Sequence, residues 1–328
     1  MRTWIESKAS LFVLGIFAFL FLIPHMFTLS SYILHILIMI FYFSYLSSCW
    51  NLLGGIAGQH SMGHSAFVGL GAYTSTFLLL KVGLNPWIGM LLGGVVAALA
   101  GLFIGYLSFN YRLRGLYFLL ITIAFAEILH ILFSNIRSLG GASGLVVPLK
   151  EEGLINFQFS SKVPYYYIIL AMLSFIILFS YLISRRRLGY YLVAIRENEE
   201  AARAVGIWVI NYKLLATTIS AFLSAFGGTF YAQYTYFIDP STALGIGLSV
   251  EILIYPIVGG VGTVLGPFIG ASVLYPLAEL SRIILGAKTT GAHLMVYGAI
   301  LIVIMMFAPR GVLGLFDDIF LMRGGRYR

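Results

Sequence analysis

The sequence has little charge and a single cysteine. Of its 328 residues, 10% are charged and 60% are hydrophobic, and the mean hydropathy is +0.96. So few polar residues cannot cover a water-exposed surface, which excludes a soluble globular domain and indicates an integral membrane protein. Because Cys49 is the one cysteine and lies in an apolar run, an internal disulfide framework and a cysteine metal cluster are excluded as well.

Signatures of nucleotide binding and catalysis are also lacking. The segment GAKTT at 286–290 does not have the glycine spacing of a phosphate-binding loop, and no strand precedes it. We therefore expect a chain that is not an enzyme, has no cofactor and cannot hydrolyse ATP itself. The net charge of +8 does not indicate a nucleic acid partner, because the basic residues lie at span ends and in loops instead of forming a continuous groove.

Hydrophobic windows long enough to cross a bilayer follow one another along the whole chain. A transmembrane helix needs roughly 20 apolar residues. Such windows lie near 10–28, 30–53, 62–80, 86–109, 115–134, 164–184, 214–237, 245–261, 263–285 and 291–308. No small-residue cleavage site follows the first run, Leu11 to Pro24, so it is interpreted as a span and not as a signal sequence. We predict one domain over 1–328, an all-α polytopic membrane bundle of about ten transmembrane helices.

The distribution of basic residues predicts which loops face the cytoplasm. With the N-terminus inside, the cytoplasmic segments hold fourteen of the 20 lysines and arginines. These are Arg2, Lys8, Arg112, Arg114, Arg185, Arg186, Arg187, Arg196, Arg203, Lys213, Arg310, Arg323, Arg326 and Arg328. By the positive-inside rule, we expect both termini and the central loop, 185–213, to be cytoplasmic and the long connection 135–163 to face outward.

Two glycine-rich segments interrupt the apolar pattern. The first glycine segment covers 54–63 and the second covers 259–270. Paired glycine-interrupted segments in two halves of a chain often flank a transport path. The alternative is close helix packing, because Gly262, Gly266 and Gly270 recur at every fourth residue. The candidate path residues are Gln59, His60, His64, Glu127 and Glu251.

Several ionisable residues fall within the predicted spans, where they are expensive and usually face the interior of a bundle. A spacing of three residues places Glu127 with His130 on one helix face, and Glu279 with Arg282 on another, so each can form a structural pair.

The histidines of the first glycine segment allow two interpretations. His60 and His64 are four residues apart and can ligate a metal if Glu127 and His130 join them. Alternatively, together with Asn51 and Gln59, they satisfy backbone groups that the glycine segment exposes.

The central loop carries helix signals at both ends. Asn198 can cap a helix, Glu199 lies in its positive first turn, and Gly206 can adopt the left-handed conformation that ends it. We predict a helix of about two turns, in which Glu199 and Arg203 pair on an outer face. An apolar strip on this helix docks either in a partner's groove or on the chain's own membrane domain. The strip consists of Ala201, Ala202 and Val205.

Four blocks of the sequence, in this order, resemble one family of transporters. They are NLLGGIAGQHSMGHSAFVGLGAY at 51–73, RGLYFLLITIAFAEI at 114–128, RENEEAARAVGI at 196–207 and GGVGTVLGPFIGA at 259–271. The third block resembles the cytoplasmic loop of ABC importer permeases. Taken together, the blocks are most similar to branched-chain amino acid permeases of the LivM type.

This resemblance implies a permease subunit of the bacterial plasma (inner) membrane that forms the translocation path for branched-chain, aliphatic amino acids. It implies several partners besides the lipid bilayer: two cytoplasmic ABC ATPase subunits, a second homologous permease and an external substrate-binding protein. The central-loop helix would be the short cytoplasmic coupling helix for the ATPases. The coupling residues would be Arg196, Glu197, Glu199, Glu200, Ala201, Ala202, Arg203, Val205 and Gly206.

Other functions stay open at the level of sequence. Related ABC permeases carry urea or short amides, and their coupling loop would look nearly the same. A proton-coupled secondary transporter would use Glu127, Glu251 or Glu279 as its proton site. A membrane enzyme would use His60 and His64 on a metal.

Overall fold

The computed structural model describes residues 15, 19–24, 30–285, 298–299, 302, 306 and 311–314. The elements from Ser31 to Leu285 are helical except for one pair of two-residue strands. The helices are α1 (Ser31–Asn51, continued by a π-helical segment, Leu52–Ile56), α2 (His64–Val82), α3 (Pro86–Asn110), α4 (Leu116–Asn135), α5 (Lys162–Ser184), α6 (Arg187–Glu197), α7 (Glu199–Ala204), α8 (Val209–Thr235), α9 (Pro240–Ala243), α10 (Ile246–Gly259) and α11 (Gly266–Leu285), with 3₁₀ turns at Arg137–Leu139 and Gly141–Ser143. The strands β1 (Leu145–Val146) and β2 (Phe237–Ile238) pair antiparallel.

Seven helical segments in the described part are long and apolar enough to cross a membrane. They are Ser31–Ile56, His64–Val82, Pro86–Asn110, Leu116–Asn135, Lys162–Ser184, Val209–Thr235 and Pro240–Gly259. Each overlaps one predicted window, so the prediction of an all-α membrane protein is confirmed. Helix α11 occupies the window 263–285. The windows 10–28 and 291–308, the segment 286–290 and the terminal basic residues lie largely outside the described residues, and the total of about ten spans stays a prediction.

Contacts between the connections define two ends of the bundle. At the loop end, the central loop contacts the α3–α4 connection through Arg114 and the first glycine segment through Arg196. At the strand end, β1 pairs with β2, and Trp87 Nε1 donates to the Leu154 carbonyl oxygen at 2.6 Å. Helix α8 runs from the central loop to β2. The described segments that were predicted to be cytoplasmic therefore share one end, and the 135–163 connection lies at the other.

Helix α1 is the central helix of the bundle. Every residue from Ile40 to Asn51 is buried, as expected for a helix that is apolar on all sides. Helices α5, α8, α10 and α11 pack around it. Its hydroxyl groups bond to neighbouring backbones, for example Ser47 Oγ to the Ile252 carbonyl oxygen at 2.9 Å. The first glycine segment, which follows α1, therefore starts at the centre of the bundle.

Helices α2 and α8 cross closely because glycines lie at their contact. A Cβ atom on Gly228 would lie 1.9 Å from the Val68 carbonyl oxygen, and one on Gly71 would lie 2.1 Å from the Ala225 carbonyl oxygen. Both distances are far inside van der Waals contact. In lipid, where the hydrophobic effect does not drive helices together, such close packing is a main source of helix association.

Replacing Gly228 by alanine is expected to destabilise the bundle by about 1–3 kcal/mol, because the added methyl group overpacks the α2–α8 contact. Gly247 is the matched control, since it lies exposed on α10 and a Cβ there would meet no atom within 4 Å. Thermal unfolding in detergent should show a lower melting temperature for Gly228→Ala and an unchanged or higher one for Gly247→Ala. Equal melting temperatures would contradict this packing.

Candidate functional site

Two short helices, α6 and α7, make up most of the central loop. The Asn198 side-chain oxygen accepts hydrogen bonds from the backbone amides of Glu200 and Ala201 at 2.9 and 3.0 Å. Gly206 follows the helix with a φ of +86°. The predicted cap and the predicted helix end are therefore both confirmed. Helix α7 has only 6 residues, so its stability depends on packing against the rest of the chain.

Glu199 ties α7 to the membrane helices. Its carboxylate pairs with Arg114 at 3.2 Å and with the ammonium group of Lys213. The Lys213 side chain is only 3% exposed and lies against the Phe109 ring. The predicted pair with Arg203 is wrong, because a buried lysine needs a counter-ion far more than an exposed arginine does. A buried charge left without its partner costs about 3–5 kcal/mol, whereas an exposed pair of this spacing contributes about 0.3–0.5 kcal/mol.

The predicted apolar strip of α7 is divided between the chain's interior and its surface. Ala202 is buried in a small cluster with Ile195 of α6 and Val209 of α8. Of the two alternatives for the strip, Ala202 therefore follows packing on its own chain and not insertion into a partner's groove, because so short a helix needs this face for its own stability. Ala201 and Val205 are exposed, and Val205 is 77% exposed.

A groove lined by aromatic and aliphatic residues lies beside Val205 at the loop end. It has a volume of about 310 Å³ and is lined by Tyr191, Val205, Gly206, Ile207, Trp208 and Tyr212. Trp208 is among the exposed large hydrophobic residues. A patch of this kind, next to a charged helix, is typical of an interaction surface.

Arg196, at the end of α6, reaches the first glycine segment. Its Nη1 atom donates to the Gly55 carbonyl oxygen at 3.0 Å. Its Nε and Nη2 atoms donate to one carboxylate oxygen of Glu197 at 3.1 and 2.8 Å. The guanidinium group is therefore held by an acidic side chain of the loop on one side and by the backbone of a membrane segment on the other.

Asn51, at the end of α1 and just before the first glycine segment, binds the second glycine segment. Its Nδ2 atom donates to the Thr263 carbonyl oxygen at 2.8 Å, and its Oδ1 atom accepts from the Gly262 amide at 2.8 Å. The side chain is buried at the end of α1. The hypothesis that Asn51 satisfies backbone groups exposed by a glycine segment is confirmed, with the difference that these groups belong to the second segment.

Two glycines leave space for the Arg196 side chain. Gly58 and Gly262 have φ values of +68° and +78°, which favour glycine. A Cβ atom on Gly58 would lie 2.5 Å from Cγ of Arg196, and one on Gly262 would lie 2.9 Å from its Nη1 atom. Arg196 thus occupies the junction of the two segments.

The close-packing hypothesis for the second glycine segment is confirmed in part. A Cβ atom on Gly266 would lie 2.2 Å from the Gly260 carbonyl oxygen, and one on Gly270 would lie 1.8 Å from the Tyr255 carbonyl oxygen. These glycines bring α11 against α10. Gly262 lies in the connection between the two helices, so the every-fourth spacing does not reflect a single helix face.

The candidate path residues divide into buried and exposed groups. His64 is buried, with Nε2 2.8 Å from Ser220 Oγ and Nδ1 3.3 Å from Ser61 Oγ. Gln59 is buried and donates to the Ala57 carbonyl oxygen at 3.2 Å. Both side chains are buried and make these hydrogen bonds inside the chain. The exposed candidates are His60, Glu127 and Glu251.

Both structural pairs predicted from a three-residue spacing are present. His130 Nδ1 lies 3.2 Å from a Glu127 carboxylate oxygen, and Arg282 Nη1 lies 3.4 Å from Glu279. Within the described ranges, no three His, Cys, Asp or Glu side chains are grouped so that they could hold a metal ion. His60 instead stacks on the Trp50 ring.

The partners of Glu199 and Arg196 were not identified from the sequence. The only signal was Lys213, a lysine at the start of an apolar helix, which predicts a nearby counter-ion. Glu199 is 14 residues away, beyond the reach of helix spacing rules. The acceptor of Arg196 is a backbone carbonyl 141 residues away, for which side-chain patterns give no signal at all.

Comparison with known proteins identifies several relatives. Over 286 residues the chain is 28% identical to the high-affinity branched-chain amino acid transport system permease protein LivM of Salmonella typhimurium. This alignment covers 80% of the chain but only 65% of LivM, so the chain spans somewhat less than two thirds of that relative's length.

Two further relatives match with similar identity. The autoinducer 2 import system permease protein LsrC of Klebsiella pneumoniae is 28% identical over 185 residues, which cover 55% of the chain and 51% of LsrC. The L-arabinose ABC transporter permease protein AraH of Azospirillum brasilense is 26% identical over 246 residues, which cover 74% of the chain and 68% of AraH. No solved structure matches the chain significantly.

Residues 32–305 match the family described as the branched-chain amino acid transport system / permease component. This range contains all of α1 except its first residue, α2 to α11, both glycine segments and the whole central loop. The chain therefore belongs to the family of branched-chain amino acid transport permease components.

Proposed function

We propose that the chain is the transmembrane permease subunit of an ABC importer and that separate ATPase subunits act on it through the central loop. One observation carries this proposal. Helix α7 is tied to the membrane helices by the charges around Glu199, while Val205 and its neighbours stay exposed. A surface anchored in this way can receive a force from a partner and pass it to the bundle.

The loop end is proposed to face the cytoplasm. Two arginines of the α3–α4 connection and the basic residues of the central loop all lie there, and the positive-inside rule places such clusters in the cytoplasm. The strand end, with β1 and β2, then faces the outside, where a substrate-binding protein would deliver its cargo. The family supports the bacterial plasma (inner) membrane as the location.

The proposed ATPase contact is the exposed side of α7 with the adjoining groove. Ala201, Val205 and Trp208 supply its apolar part. The exposed charged residues around it would set the register of the contact through complementary charges. They are Glu197, Glu200 and Arg203. Gly206 ends α7, and Ala202 and Glu199 attach α7 to its own chain. Arg196 lies at the end of the preceding helix, α6, and binds the first glycine segment.

A second permease subunit is proposed to complete the translocation path. Glu127 is 48% exposed on α4, a membrane helix with few buried residues. A carboxylate that faces lipid is expensive, so this face of α4 is more favourable against a water-filled path shared with a partner. His60 and Glu251 are the other exposed candidates for such a path.

Branched-chain amino acids are the proposed substrates. The name of the LivM relative, which matches 80% of the chain, and the family description both support this class. The names of the LsrC and AraH relatives favour a second class, autoinducer 2 or a pentose. Uptake of radiolabelled leucine that is reduced by unlabelled leucine but not by unlabelled arabinose would support the first class. Failure to take up leucine, with uptake of arabinose, would support the second.

Val205→Glu is expected to lower the recovery of ATPase subunits with the affinity-purified permease about tenfold, because a desolvated carboxylate is unfavourable in an apolar contact. Uptake of the substrate should fall in parallel. Val146→Glu on β1 is the matched control, since Val146 is similarly exposed but lies at the strand end. It should leave ATPase recovery unchanged. Full ATPase recovery and full uptake with Val205→Glu would contradict the proposed docking surface.

Cysteine labelling in whole cells is expected to show the proposed orientation. In a Cys49→Ala background, a cysteine replacing the exposed Ser143 near β1 should react with a membrane-impermeant maleimide. One replacing the exposed Ala204 on α7 should react only after the membrane is permeabilised. The opposite pattern would show that the loop end faces outward and that a cytoplasmic ATPase cannot bind there.

A further inference from the structure

We infer that Arg196 and Asn51 form the mechanical link through which the central loop moves the two glycine segments, and that both are positioning residues for transport. The inference rests on the proposed function of the chain as an ATPase-driven permease. Docking alone does not explain how motion of α7 would reach the membrane helices. The inferred link connects α7 to the backbone of the two glycine segments.

The first step of the link is the bond between Arg196 and the Gly55 carbonyl oxygen. This carbonyl lies in the last turn of the π-helical segment, where backbone acceptors have no helical partner and where a cation is favoured. Glu197 binds two other guanidinium nitrogens and so fixes the orientation of the group. The planar fork of arginine allows these contacts at the same time.

The second step is the pair of hydrogen bonds between Asn51, at the end of α1 just before the first glycine segment, and the second glycine segment. Both halves of the Asn51 amide are used, one on Thr263 and one on Gly262. Because the amide is buried, breaking either bond would leave an unsatisfied polar group, which costs more than the bond itself contributes. A displacement of the first segment therefore carries the second segment with it.

The third step connects Arg196 to the proposed docking helix. Ile195, Ala202 and Val209 pack in one buried cluster. In addition, the backbone amide of Asn198 donates to the Ala194 carbonyl oxygen at 3.0 Å. Helices α6 and α7 are thus coupled by side chains and by backbone. A shift of α7 is transmitted to Arg196.

The central loop consequently bridges two sets of helices. Glu199 binds it to the α3–α4 connection and to α8, whereas Arg196 and Asn51 bind it to α1 and to the α10–α11 connection. A rotation of the loop changes how these two sets are arranged at the loop end. Such bundle movements around a midplane site are the usual basis of alternating access.

The glycine segments have the local structure of a hinge. One contains a π-helical turn, a feature frequent at functional sites, and three of their glycines have positive φ values. These are Gly58, Gly260 and Gly262. Irregular backbone at element ends can absorb the dihedral changes of a hinge motion.

The test uses the complete complex, with both permease subunits, the ATPase subunits and the binding protein, reconstituted in vesicles. Radiolabelled leucine uptake and ATP hydrolysis are measured in the same sample. Arg196→Ala should lower uptake about tenfold while hydrolysis changes less than about twofold, because losing a bond to a charged donor weakens the link and not the motor. Arg196→Lys should restore most of the uptake, since an ammonium group can still donate to the Gly55 carbonyl oxygen.

Two further variants make the test specific. Asn51→Ala should uncouple uptake from hydrolysis in the same way, although Asn51 is buried and cannot contact an ATPase. Arg187→Ala is the matched control, because Arg187 is an exposed arginine at the opposite end of the same helix. It should change neither activity. ATPase recovery in pull-downs should be normal for all four variants.

Each outcome is decisive. If the unmodified complex shows no ATP-driven uptake, the proposed function itself fails. If it is coupled and Arg196→Ala is coupled equally well, the link is wrong while the proposed function stands. If Arg196→Ala loses the ATPase subunits, or if lysine does not rescue uptake, Arg196 is a docking or structural residue and the inference is overturned.

Discussion

Backbone groups that a helix break exposes within a membrane bundle need new hydrogen-bond partners, and the rest of this structure depends on that constraint. The first glycine segment lies between α1 and α2, and the second lies between α10 and α11, at the same end of the bundle. A buried asparagine satisfies one segment, and an arginine from the central loop satisfies the other. The need for hydrogen bonds therefore also determines where the central loop is attached. The irregular backbone, its partners and the loop form one continuous unit.

The charges of the central loop follow the same logic on its other side. Lys213 is buried where α8 begins, and Glu199 neutralises it while also binding Arg114. Helix α7 is too short to be stable alone, so this ion cluster and the burial of Ala202 hold it in place. Under the proposed function, the central loop transmits motion through two sets of contacts with the membrane helices. One set is the ion cluster around Glu199, and the other is the hydrogen bonds of Arg196 and Asn51 to the glycine segments.

Local features of the structure were predictable from the sequence because local rules determine them. Most span positions follow from run length, the start of α7 from Asn198, its end from Gly206, and the Glu127–His130 pair from helix spacing. The features that failed are non-local. A six-residue helix is too short for its sequence pattern to show which face packs on its own chain, so the sequence left open whether Ala202 is buried there or docks on a partner. Carbonyl acceptors such as Gly55 carry no side-chain signature, and their partners come from far along the chain.

Hydrogen exchange by mass spectrometry on the purified permease tests the central claim most directly, because it reports on backbone amides without requiring any partner. If Arg196 and Asn51 hold the two glycine segments as one unit, replacing Arg196 by alanine should raise exchange in peptides covering 52–63 and in peptides covering 259–266 together. Exchange at the α2–α8 crossing should not change. If exchange rises only in the first segment, or in neither, the two segments are not linked through these residues, and the account is contradicted.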